Sequence, residues 1–342
     1  MDVSPLNYKL TFEPDLKKFT FAGLESISIN CKKSVNAITM NCAELKIKSC
    51  IVTSGKKIIK SYPKTNEKKE ELQIKLAEKI RGLCTIDLEF EGILNDRLLG
   101  FYRSRYEQNG KTKYLATTQF EAADARRAFP CWDEPEAKAT FEISIIADNQ
   151  FTAISNMPVK TKKKTGKTTL YNFQKTPLVS TYLIYLGVGE FEYLSGKAGK
   201  IQIRVVTTKG NTSKGKFSLE LGKKLLTSYE KYFGIKFPLP KLDLIAVPDF
   251  AAGAMENWGA ITFRETILLY DPKTSSTRTK QFIAEVISHE IAHMWFGNLV
   301  TMKWWNDLWL NESFATFMAT KFVDKFYPEW DLWNQFVEDA MN

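Results

Sequence analysis

The chain has 342 residues, of which 44% are hydrophobic and 25% charged, with a formal net charge of +9. That length exceeds what one hydrophobic core usually serves, so two domains are expected, and the composition excludes collagen-like, disordered and coiled-coil classes. The positive charge is dispersed, and its densest stretch, residues 160–167, reads as a solvated hairpin turn, so no nucleic-acid partner is expected.

In chain order, Met1-Asp2-Val3-Ser4-Pro5 lacks a basic region followed by an apolar one, so no signal peptide is read there. Residues from 6 to 195 read as β. Period-two alternation recurs at 85–91, 141–145 and 151–154, each run bounded by turn residues. Many short strands with polar turns suggest an antiparallel sandwich or saddle. The cysteines, Cys31, Cys42, Cys50, Cys84 and Cys131, are odd in number and widely spaced, with no CxxC. Reduced thiols in a cytoplasmic protein are the expectation.

The character changes near Gly196, and residues 195–199 read as a link. Residues 201–207 form a strand. Residues 214–233 form a helix with Phe217, Leu219, Leu221, Leu225, Leu226, Tyr229 and Phe233 on one face, stopped by Pro238 and Pro240. Strands follow at 242–247 and 259–263, and helices at 277–296 and 307–326. Trp330, Trp333, Phe336, Val337 and Met341 continue a helical stripe to the end. The domains expected are 1–195, all β, and 196–342, α+β. No run of about 18 apolar residues occurs, so no membrane span is expected.

The two histidines of the chain, His289 and His293, flank Glu290 in His289-Glu290-Ile291-Ala292-His293. Positions i and i+4 share a helix face, so both imidazoles can grip one ion. Glu312 follows after 18 intervening residues on the next helix, and a turn near Gly297-Asn298 can fold it back as a third ligand. A catalytic zinc takes three protein ligands and keeps a fourth position open. Glu290, beside one ligand, is placed to take a proton from an attacking water. HExxH also occurs by chance on amphipathic helices. The spacing to Glu312 and the absence of other histidines favour the metal; Glu285 is read as no ligand. Upstream, Gly253-Ala254-Met255-Glu256-Asn257 precedes a strand, and its glycine permits close backbone approach. Spacing alone leaves Glu256 either a cation-binding acid or a surface acid.

GAMEN at 253–257, HExxH and Glu312 together resemble the gluzincin zinc aminopeptidases, the family of aminopeptidase N, tricorn-interacting-factor aminopeptidases and leukotriene hydrolase. The segment 119–135, from Gln119-Phe120-Glu121 to Cys131-Trp132-Asp133-Glu134-Pro135, is similar to another signature of that family. The resemblance spans the chain. It implies a β-saddle followed by a thermolysin-like zincin domain, with one zinc ion on His289, His293 and Glu312 and Glu290 as base. It implies that Glu256 anchors a peptide's free N-terminus and that Gln119 and Glu121 line the first side-chain pocket. Gly253, Ala254, Met255 and Asn257 would position the substrate backbone.

Family members continue past Glu312 to an oxyanion-donating tyrosine, whereas this chain stops 30 residues after Glu312. Loss of one such donor costs about 100- to 1000-fold in rate. The expectation is therefore a catalytic domain truncated at its C-terminus, whether as a fragment, as a truncated gene product or as a split polypeptide whose partner is a second chain supplying the rest. The alternatives are a non-catalytic peptide-binding fragment or half of a split enzyme, and an epoxide hydrolase using the same zinc site.

Overall fold

The computed structural model describes residues 2–341, in two compact units, one ending at Gly189 and one starting at Glu190. The fold is α+β: an N-terminal β unit, then a unit in which helices accompany a sheet.

In the first unit, a nine-stranded sheet is built around Thr20–Asn41, which pairs antiparallel with Val3–Asp15 on one side and Glu71–Ile93 on the other. Its alternation buries Phe21, Ile27 and Ile29 and exposes the residues between them more fully. The sheet departs from the all-antiparallel expectation at one place. Val3–Asp15 runs parallel to Thr140–Asp148. The long chain between these strands supplies the crossover that parallel pairing needs. Residues 160–167, expected as a turn, are mostly the strand Val159–Thr165, in a hairpin with Thr168–Phe173. It is the last strand on its side of the sheet, and exposed lysines there discourage pairing with another chain. A second, four-stranded sheet carries Lys111–Gln119 and Leu186–Gly189.

In the second unit, three strands run parallel: Ile201–Thr208, Lys241–Val247 and Ala260–Arg264. Lys241–Val247 lies at the centre and is buried throughout, as a strand covered on both faces must be. Phe191–Ala198 pairs antiparallel along one edge. Residues 195–199, expected as a link, are thus the end of a strand and its turn into the next. The other edge is the short strand Ala254–Met255.

Among the described residues, four α-helices follow the parallel strands or lie between them: α1 (Lys216–Phe233), α2 (Thr277–Ala292), α3 (Leu308–Phe326) and α4 (Leu332–Met341). The stop of α1 is Gly234 rather than the prolines beyond it. Gly234 takes φ 67°, and its N–H bonds the Glu230 carbonyl. Ser276 caps α2, its Oγ accepting from the Thr279 N–H at 3.1 Å. Tyr229 joins three helices. Its hydroxyl lies 3.0 Å from the Ser288 carbonyl, 2.8 Å from Ser288 Oγ and 3.3 Å from the Met318 carbonyl. The stripe expected at the end divides: Trp333 packs on Phe317, while Val337 and Met341 face solvent. No helix among the described residues is long and apolar enough to cross a membrane.

Candidate metal centre

His289 lies in the last turn of α2, and His293 is the residue on which the helix ends. The helix stops four residues before the expected 296. There the Phe296 carbonyl turns back to meet His293 Nδ1 at 2.9 Å. Gly297 then takes φ 126°, and a β-carbon there would sit 3.2 Å from that same Nδ1. Only glycine suits both demands. The chain reverses and α3 brings Glu312 back.

His289 Nε2, His293 Nε2 and a Glu312 carboxylate oxygen lie within 4.8 Å of one another. The two Nε2 atoms are 2.9 Å apart, and each faces a different Glu312 oxygen, His289 at 3.2 Å from Oε2 and His293 at 3.6 Å from Oε1. Tetrahedral ligands at zinc–donor distances of about 2.0–2.1 Å would be about 3.3 Å apart. The outer ring nitrogens are engaged as well. His293 Nδ1 faces a carbonyl, which fixes its proton there and leaves Nε2 as the donor, and His289 Nδ1 lies 3.3 Å from Thr316 Oγ1. Two imidazoles and one carboxylate, so oriented, fit a zinc ion.

The electrostatics agree. Burial alone would lower the pKa of His293, but the charges of Glu256, Glu290 and Glu312 and a Glu312 hydrogen bond lift it to about 10. Burial lowers His289, against the pull of Glu312. Burial would raise Glu312, yet its contacts with both histidines hold it well below the usual carboxylate range. A negatively biased pocket of this kind favours a cation.

Glu290, on α2, is 6% exposed. Glu256 is 3% exposed, its Oε1 has no hydrogen-bond partner, and a carboxylate oxygen of it lies within 4.8 Å of one of Glu312. Burial raises its pKa, against the attraction of His293. The surface-acid reading of Glu256 is thereby excluded. Its segment is held by backbone pairing: Ala254 opposite Phe263, Met255 opposite Thr262, and the Gly253 carbonyl accepting from the Arg264 N–H. Asn257 is buried and reaches Thr262 Oγ1 through Nδ2 at 3.2 Å.

Gln119 and Glu121 belong to the first unit. Gln119 ends the strand Lys111–Gln119 and is buried, and Glu121 is half-buried after it. The rest of their signature segment is structural there. Arg126 Nε bonds the buried Asp133 at 3.0 Å, and Arg127 bridges Asp124 and Glu70. Sequence reasoning missed Thr316 and the Phe296 carbonyl. Thr316 stands one turn after Glu312 on the same helix face, which is a signal the spacing contained.

A family model described as "Peptidase M1 N-terminal domain" matches residues 4–183, and one described as "Peptidase family M1 domain" matches residues 217–342. Aminopeptidase M1 of Arabidopsis thaliana is 44% identical over 343 residues, covering 98% of this chain and 39% of that protein. The mitochondrial aminopeptidase 2 of Saccharomyces cerevisiae is 44% identical over 99% of this chain and 36% of its own length. The puromycin-sensitive aminopeptidase of Caenorhabditis elegans is 44% identical over 98% and 36%. The chain thus spans between 36% and 39% of the length of these curated relatives.

Proposed function

Because the chain belongs to the M1 peptidase family, we propose that it carries the zinc centre and amine anchor of an aminopeptidase that removes N-terminal residues from peptides. The observation that carries this reading is the convergence of two imidazole nitrogens and one carboxylate within 4.8 Å. A zinc ion held by His289, His293 and Glu312 would supply an acidified water, with pKa about 7, and a Lewis acid for the scissile carbonyl. Glu290 accepts the proton of the attacking water and returns it to the leaving amine. Glu256 receives the substrate's α-ammonium. Its buried, unpartnered oxygen is costly until a cation arrives, so the ammonium is favoured over a neutral group. The strand Ala254–Met255 pairs on one side only among the described residues, which suits an extended peptide laid along its other side.

An amine fixed beside the metal sets the register, so that the first peptide bond reaches the reacting water. Gln119 and Glu121 enter this reading as the residues that select the first side chain, on the strength of their signature segment. Five free cysteines support a reducing compartment such as the cytoplasm.

The test measures metal by mass spectrometry and follows release from a leucine anilide before and after chelation. One zinc per chain and chelator-sensitive release are expected, with Glu290→Gln keeping the zinc and losing turnover. Normal turnover by Glu290→Gln contradicts the base assignment. Zinc without any release makes the chain a non-catalytic portion of such an enzyme.

A further inference from the structure

The turn that ends the metal helix reaches back to the segment carrying Glu256. Asn298 lies five residues after His293 and is wholly buried. Its backbone N–H donates to the His293 carbonyl at 3.1 Å, and its own carbonyl accepts from Thr301 Oγ1 at 3.2 Å. Its side-chain Nδ2 donates to the Glu256 backbone carbonyl at 2.8 Å. One residue therefore joins the carbonyl of a metal-ligating histidine to the backbone of the buried acid. Three residues further along, the same segment is pinned differently. The Gly259 carbonyl accepts from Lys241 Nζ at 2.7 Å and from the Asp243 N–H at 3.1 Å, which ties it to the sheet.

We infer that Asn298 is a positioning residue that sets the distance between the amine anchor and the metal centre. The inference rests on the reading of Glu256 as that anchor. A carboxyl on a flexible three-bond stem is aimed only as well as its backbone is held. The sheet holds the far end of the segment, and Asn298 alone of the contacts named here ties the Glu256 peptide to the helix that carries the histidines. Removing its donor leaves a buried carbonyl unsatisfied, and the segment relaxes to satisfy it. Displacements of about 1 Å at such a distance are costly to a reaction that depends on register.

The experiment uses the full chain with Asn298→Ala, the near-isosteric Asn298→Leu, which removes the donor without adding a charge, and Glu256→Gln. Three quantities are read: zinc content, the preference for leucinamide over its des-amino analogue 4-methylpentanamide by calorimetry, and hydrogen exchange of amides 253–259. Both Asn298 variants are expected to hold one zinc, to lose about five- to tenfold in the amine preference and to exchange about five- to tenfold faster in that segment, the share of one buried hydrogen bond. Should Asn298→Ala not fold, Asn298→Leu carries the same reading. Glu256→Gln is expected to lose the preference with exchange unchanged. If Glu256→Gln loses the preference while both Asn298 variants keep it and exchange normally, the positioning role is overturned. If Glu256→Gln keeps the preference, the anchor reading falls instead, and with it this inference.

Discussion

Glu25 and Glu256 are both buried acids, and at each at least one carboxyl oxygen lacks a hydrogen-bond partner, yet they stand in opposite surroundings. Glu25 sits on the apolar face of the central strand of the first unit, opposite Leu10 and Leu88 of its neighbours. Burial alone lifts its pKa well above the carboxylate range. Glu256 sits near His293 and Glu312, and the attraction of His293 opposes the same burial. Burial of an acid, then, does not mark a site. What marks one is the convergence of complementary groups, here the histidines of α2 and the carboxylate of α3.

The contrast can be broken by substitution. Glu256→Gln should weaken binding of amine-bearing ligands about 10- to 100-fold, the worth of one charge-assisted contact, and leave metal content unchanged. Calorimetry with leucinamide measures it, and undiminished binding would remove Glu256 from the site. Tyr229→Phe should cost about 1–3 kcal/mol in urea unfolding, because Ser288 and Met318 lose the hydroxyl that links α1 to α2 and α3. A cost near zero would show that ring packing alone holds those helices. Glu25→Met should stabilise the chain at neutral pH by about 1 kcal/mol, since an unpartnered polar group gives way to an apolar one.

That last effect has a definite pH dependence. In the unfolded chain Glu25 ionises at about 4.3, whereas the folded chain holds its proton to higher pH. Below about 4.3 both states are protonated and the group imposes no ionisation penalty. As pH rises above it, the unfolded state releases the proton first, so stability falls. The gain from Glu25→Met should therefore grow between pH 4 and pH 7 in thermal unfolding. A constant gain would indicate that Glu25 is ionised in the folded protein.

Local chemistry explains which features were legible in the sequence. The α2 and α3 helices and the HExxH-to-Glu312 spacing follow from side-chain period and residue type, which neighbours in sequence determine. The helix ends were less legible. At α1, Gly234 stops the chain before Pro238 acts, and at α2 the Phe296 carbonyl and Gly297 end the helix at His293. The length of Thr20–Asn41 was hidden because the polar run Lys32-Lys33-Ser34 interrupts its alternation at a place where the pairing shifts register. The parallel pairing of Val3–Asp15 with Thr140–Asp148 depends on residues far apart, which no local pattern encodes. Glu256 was ambiguous for the same reason. Its burial depends on the fold around it, and its approach to Glu312 on a turn that brings distant residues together.

The most direct test is X-ray absorption at the zinc edge of the purified, zinc-loaded chain. Two imidazole nitrogens at about 2.0–2.1 Å and carboxylate oxygen, with no sulfur, are expected, together with loss of one of the two imidazole contributions in His293→Ala. Sulfur in the first coordination sphere, or a spectrum unchanged by His293→Ala, would contradict a metal centre built from His289, His293 and Glu312.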